Sequence, residues 1–234
     1  GLTLRQIATK LLNPFNLTFI VDSFVSSDMD KVFTVSTAGE RQTVKDYLSE
    51  LATQRNIVIT HNEKGQLLFT RANTTQNPIL TIDGAAIPAT KVTLNINGQA
   101  MHSTITVVKQ ADIDGGNAGQ STVTNPYVSA FRPIVKTQDS GNDTDTEKAA
   151  KAALALELKA ITLTIDIYDW DANNVIVRPN SIVAIREPKL YIYNLTRFFV
   201  EQVDYAGNSE SMTATLKCVL LEVYNGKTPI NIFN

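Results

Sequence analysis

The chain has 234 residues, a formal net charge of −2, 43% hydrophobic and 19% charged residues. That length allows one large domain or two smaller ones with buried cores, and the near-neutral balance excludes a general basic field for nucleic acid. A single cysteine, Cys218, excludes an internal disulfide, and no apolar run approaches the roughly 20 residues that a membrane-spanning helix needs.

The sequence opens Gly1-Leu2-Thr3, with neither a methionine nor a signal-peptide pattern, and goes straight into a helix; a missing N-terminal portion is expected. Thr3-Leu-Arg-Gln6 fits a capping box, in which a hydroxyl caps an amide three residues on and a glutamine reaches back. The helix should cover residues 4–12, with Leu4, Ile7, Ala8 and Leu11 on one face, until Asn13-Pro14 stops it. Residues 17–21 read as a short strand and 22–31 as a polar loop. Thr43-Val-Lys-Asp46 is a second candidate capping box for a helix to about residue 54. Strands follow at 56–60 and 66–70, joined by a turn in which Gly65 can supply a positive φ. Residues 1–73 are therefore expected to form a small α/β domain, with 72–78 as its exit linker.

Strands are predicted at 79–82, 91–97 and 103–108, the latter two separated by the Asn97-Gly98 turn. Residues 111–126 are rich in Gly, Asn, Ser, Thr and Asp and read as an exposed loop, and 137–144 as another. Thr144-Asp-Thr-Glu147 is a third candidate capping box for an Ala-rich helix over 145–158, apolar on more than one side, which predicts burial against a sheet or a neighbouring subunit. In 161–183, Ile161, Leu163, Ile165 and Ile167 alternate with polar residues, the mark of a strand with one buried face. Asp171-Ala-Asn-Asn174 breaks that run and Pro179-Asn180 ends its continuation. Strands at 189–193, 197–203 and 212–223 complete the chain, the last two forming a hairpin about Gly207-Asn208. The pattern is that of a barrel wall.

Chemistry is sparse. His61 and His102 are the only histidines, with no carboxylate or cysteine at ligand spacing, which makes a poor zinc site. No nucleophile elbow or phosphate-binding glycine loop is present. Asp166, Asp169 and Asp171 beside Trp170 are the candidates for a pair of glycan-cleaving carboxylates, but a solvated strand face plus turn formers accounts for them more simply. Asp112-Ile-Asp114-Gly-Gly-Asn117 departs from calcium-loop spacing and no glutamate closes it. Asp139 to Glu147 reads as an acidic loop and helix N-terminus. Arg186, Lys189 and Arg197 are spread among Tyr191, Tyr193, Phe198 and Phe199, which alternate as strand residues do and leave no basic groove for RNA. Cys218 lies in an apolar strand pattern, as a buried inert thiol would. No catalytic, cofactor-binding or metal-ligating residue is assigned.

The order of several short motifs is more specific. Asn97-Gly98-Gln99, Phe131-Arg132-Pro133-Ile134, the Ala-rich helix, the strand end at Trp170, Arg178-Pro179-Asn180-Ser-Ile-Val183 and Leu221-Glu-Val-Tyr224 succeed one another. Upstream lie Thr43-Val-Lys-Asp-Tyr-Leu48 with Leu51-Ala52, then Gly65-Gln-Leu-Leu-Phe-Thr-Arg71. This succession resembles the baseplate hub proteins of contractile-tailed bacteriophages, of the Mu type, over most of the chain. Two pairs depart from the family pattern: its Gly-Trp and Gly-Thr are here Asp169-Trp170 and Asn208-Ser209.

The resemblance implies an α+β fold: a small α/β domain plus antiparallel β-barrel domains of the tail hub and tube type. Residues 74–128 are then expected to contribute to a first barrel begun before Gly1, and 129–234 to form a β-barrel domain with one helix. It implies a non-enzymatic homotrimer in the virion, assembled in the host cytoplasm. Its two barrels per subunit would match three-fold symmetry at the central spike to six-fold symmetry at the tail tube. The expected partners are the tube or its initiator, the spike and other baseplate proteins, without nucleic acid, membrane or cofactor. Two alternatives stay open: a carbohydrate-binding or peptidoglycan-cleaving tail module, and the equivalent hub of a phage-derived bacteriocin or secretion machine.

Overall fold

A computed structural model describes residues 1–33, 39, 41–55, 57–62, 64–83, 89–109, 119–138, 146–172 and 174–233. The chain divides into two compact units, Gly1–Ala72 and Asn73–Asn234.

In the first unit α1 (Leu4–Leu12) begins as its sequence dictates: Gln6 N–H donates to Thr3 Oγ1 at 3.2 Å, and Thr3 N–H donates to Gln6 Oε1 at 3.0 Å. Then come β1 (Phe19–Val21), a single turn α2 (Ser26–Met29), α3 (Val44–Thr53), β2 (Val58–His61) and β3 (Leu67–Thr70). The start of α3 differs from the reciprocal box predicted. Thr43 Oγ1 accepts from Asp46 N–H, but the Asp46 carboxylate takes the threonine hydroxyl at 2.7 Å instead of the backbone amide. Aspartate is one methylene too short to reach back as glutamate or glutamine does. The sheet runs β1-β3-β2, with β1 parallel and β2 antiparallel to β3. Gly65, at φ +73°, turns the β2–β3 hairpin, where Asn62 Oδ1 accepts from both Lys64 and Gln66 N–H. Leu4, Ile7, Leu48, Leu51 and Phe69 bury the facing sides of both helices and the central strand in one core.

In the second unit the strands are β4 (Leu80–Asp83), β5 (Ala89–Ile96), β6 (Thr104–Lys109), β7 (Gln120–Thr124) and β8 (Pro133–Gln138). After α4 (Thr146–Leu158) come β9 (Ile161–Tyr168), β10 (Asp171–Ala172), β11 (Val175–Ile176), β12 (Ile182–Glu187), β13 (Ile192–Gly207), β14 (Met212–Leu220) and the short α5 (Glu222–Asn225). They form a six-stranded sheet ordered β4-β12-β13-β14-β9-β5, a three-stranded sheet ordered β7-β6-β8, and a β10-β11 ribbon. One cluster fills the space among sheets and helix. It takes Ile161, Leu163, Ile165 and Ile167 from β9, Phe198 and Val200 from β13, Leu216 and Cys218 from β14, and Leu154 and Leu158 from α4. The β9 side chains are buried at every second position, as the alternation predicts.

Besides the α3 cap, α2 stands in the stretch 22–31 read as a polar loop, α5 replaces the end of the strand expected at 212–223, and four further features differ from expectation. Among the described residues no sheet closes into a barrel, and the sheets are not purely antiparallel, because β4 pairs parallel to β12 and β6 parallel to β8. The larger sheet has as its two edges β4 and β5, which are successive strands in the chain. Second, β7 falls inside the stretch read as a loop, and β8 reaches into the second one. β7 is an edge strand of Gln, Ser and Thr with Val123 as its one aliphatic residue, so β-branching supports it without an apolar pattern. Third, residues 189–193 and 197–203 are not two strands. Pro188–Leu190 is a 3-10 turn ending at Tyr191 with φ 62°, and β13 then continues for 16 residues. Fourth, α4 packs against the sheets as expected but through a single stripe, Thr146, Ala150, Leu154, Glu157 and Leu158, while Leu156 faces out. The Thr144 capping box and the Asp112–Asn117 loop lie outside the described residues.

Replacing Ile165 with alanine should lower the unfolding free energy by about 2–5 kcal/mol. Replacing its outward neighbour Thr164 should cost less than about 1 kcal/mol. Urea titration followed by the fluorescence of the single tryptophan, Trp170, in the same unit checks both.

Candidate functional site

The side chains singled out from sequence do not converge. His61 is exposed at the end of β2. His102 does meet a carboxylate, one far away in sequence: Glu157 Oε1 lies 2.9 Å from His102 Nδ1, and Glu157 Oε2 accepts the His102 backbone N–H at 2.8 Å. Lys136 Nζ stands 3.5 Å from the same carboxylate. Glu157 is buried, so these contacts compensate a charge removed from water and fasten the end of α4 to β8 and to the approach of β6. Neither local spacing nor composition points to Glu157. Among the described residues no group of three or more His, Cys, Asp or Glu is placed to hold a metal ion.

The three aspartates are equally dispersed in role. Asp166 Oδ1 accepts the Thr215 hydroxyl at 2.7 Å across the β9–β14 ladder. Asp169, at φ 72°, makes a left-handed turn and accepts Trp170 N–H at 2.7 Å. Asp171 pairs with Ile176 in the β10-β11 ribbon. Trp170 is a strut: Nε1 donates to Ala206 O at 3.0 Å, the ring meets Tyr205 edge-on at 5.7 Å, and Trp170 O accepts Val177 N–H at 3.0 Å. The Tyr205 hydroxyl donates to Val177 O, closing the ribbon onto the β13–β14 hairpin.

Of the basic and aromatic residues along β12 and β13, Arg186 pairs with Asp83 at 2.6 Å and Arg197 donates to Gln76 O. Phe198 and Phe199 are buried, leaving Tyr191 and Tyr193 on the surface. Cys218 is fully buried, and burial pushes its thiol well above the ordinary range, so it is not a thiolate nucleophile.

What the second unit does present is apolar surface. Tyr168, Trp170, Val175, Ile176, Tyr205 and Met212 are exposed around the ribbon and the β13–β14 turn. Tyr191, Tyr193 and Leu195 are exposed where β13 begins. Such groupings on an otherwise ordinary surface are characteristic of contacts with other proteins. A cleft of about 580 Å³ lies along β7, with α4 and the segment around Glu222 as its other walls.

No protein-family model matches the sequence, and no curated protein matches it. Solved structures do. The 43 kDa tail protein of prophage MuSo2 from Shewanella oneidensis is similar at a TM-score of 0.75 and 18% identity, over 96% of this chain and 67% of that one. The tail protein from Neisseria meningitidis MC58 is similar at a TM-score of 0.73 and 17% identity, over 97% of this chain and 70% of that one. A chain of the Francisella PdpA-VgrG complex is similar at a TM-score of 0.52 and 11% identity, over 98% of this chain and 40% of that one. At these identities the likeness shows the fold, which is that of phage tail proteins.

The clasp at Trp170 gives a direct test. A Cβ on Gly207 would stand 3.0 Å from Trp170 Cζ2, and that ring is held by Ala206 and Tyr205. Gly207→Ala should therefore cost about 1–3 kcal/mol. In a Trp170→Phe background the penalty should shrink, giving a double-mutant coupling of about 1 kcal/mol in thermal melts.

Proposed function

We propose that this chain is a structural baseplate hub of a contractile phage tail, a homotrimeric adaptor between the tail tube and the central spike. The observation that carries the reading is the fold shared with two tail proteins, one of them from a prophage, over nearly the whole chain. The ordered motifs of the sequence support the same family. The exposed apolar groups at the ribbon and at the start of β13 are the kind of surface that neighbours in an assembly cover. The six-stranded sheet, whose two edge strands are successive in the chain, is what a barrel wall of the hub type would supply.

In this reading the protein is not an enzyme. Asp166, Asp169 and Trp170 are engaged in ladder, turn and clasp, which disfavours a peptidoglycan-cleaving or carbohydrate-binding module. The likeness to a chain of the Francisella PdpA-VgrG complex favours, as a second reading, the equivalent hub of a secretion machine. The spike, the tube or its initiator and other baseplate proteins would be its partners in the virion, after assembly in the host cytoplasm. The domain boundaries proposed for this architecture are 1–73, 74–128 and 129–234.

Native mass spectrometry of the purified chain at high concentration should give a trimer, and negative-stain images should show a three-fold ring. A chain that stays monomeric at every concentration contradicts the proposal.

A further inference from the structure

Among the described residues, the three-stranded sheet has two free edges of different character. β7 pairs only with β6, and so does β8 on the other side. Beside β7 lies the cleft of about 580 Å³, walled by Val123 and Ala155 and by Glu222. At the β8 edge the features project instead: Phe131 is 92% exposed and Val135 is 66% exposed. The two edges lie on opposite sides of β6, so within one chain neither can cover the other.

The two edges carry opposite charges at one position each, Arg132 before β8 and Glu222 in the cleft, whose lining also includes Lys151 and Lys227. Arg132 donates Nη1 to Gly98 O at 3.0 Å and Nη2 to Gln99 O at 2.6 Å, and among the described residues it meets no carboxylate. Those bonds use two of five guanidinium donors. In the cleft, Glu147 and Lys151 already pair at 2.6 Å. Glu222 has no ion pair among the described residues; burial pushes its carboxyl above the usual range, against the opposing pull of Lys227. Glu222, which shares the cleft with Lys227 but forms no ion pair among the described residues, and Arg132, which meets no carboxylate among them, flank opposite edges of one sheet.

Strand direction completes the match. β7 runs antiparallel to β6 and β8 runs parallel to it, so β7 and β8 point in opposite directions. A β8 edge brought beside the β7 edge of another copy, in the same orientation, meets it antiparallel.

We propose that the β8 edge of one copy docks in the cleft beside β7 of a second copy, with Phe131 entering the cleft and Arg132 pairing with Glu222. The contact is head-to-tail, uses different patches on the two copies, and closes into a ring where the rotation permits. It rests on the hub reading and specifies which surfaces join the ring. A second copy is the occupant because the chain itself carries both halves of the match.

The test uses the purified chain with Phe131→Ser, Arg132→Glu, Glu222→Arg and the Arg132→Glu/Glu222→Arg double substitution, with circular dichroism as the fold control. Sedimentation should show each single change weakening assembly by about tenfold or more, and the double charge exchange recovering most of the loss. Folded single variants that assemble like the parent overturn this contact while leaving the hub reading intact. A double variant that recovers nothing overturns the Arg132–Glu222 pairing. A parent chain that is monomeric throughout overturns the hub reading together with the contact.

Discussion

The larger unit depends on one strand serving two ladders. β13 pairs with β12 through Ile192 to Phe199 and with β14 through Phe198 to Gly207. The overlap falls at Phe198 and Phe199, both buried, and Val200 exchanges backbone hydrogen bonds with Ser181 and Asn180 at 2.9 Å as the first ladder ends. The pairing register shifts on both sides of the overlap, between Ile185 and Glu187 of β12, opposite the start of β13, and between Val200 and Gln202 of β13 itself. Because β14 carries β9 and β9 carries β5, every strand of the sheet is placed relative to this overlap.

That arrangement explains why the charged residues look unlike a catalytic set. They are used to join elements: Glu157 holds α4 to the smaller sheet, Asp166 ties β9 to β14, and Arg186 ties β12 to β4. In the smaller unit, Asp28 is held below the usual carboxylate range by hydrogen bonds from Lys31 and from Arg71. Arg55 lies 3.7 Å over the Phe33 ring and donates to the Asp28 carbonyl. Charge employed this way fixes the placement of the elements against one another.

Much of the local structure is legible in the sequence. Thr3 and Gln6 announce the first helix, alternation announces β9, and Gly65 and Gly207-Asn208 mark hairpins. These signals depend on near neighbours, which a sequence displays directly. Strand partners are not legible, since alternation tells which face is buried but not what lies alongside. The parallel pairings of β4 with β12 and of β6 with β8, and the open order of the sheets, escape a sequence reading for that reason. β7 escapes it because hydroxyl-rich edge strands share their composition with loops. Glu157 escapes it because its partner His102 is 55 residues away. The turn role of Asp169 is readable from its residue type, whereas the placing of β7 and β8 on opposite sides of β6 emerges only from topology.

Amide hydrogen exchange, resolved by residue, tests the central role of β13 most directly. The account predicts that amides in the overlap at Phe198 to Val200, and those facing them on β14, exchange only with global unfolding, while the ribbon and the start of β13 exchange faster. Exchange at Phe198 to Val200 as rapid as in the ribbon would contradict it.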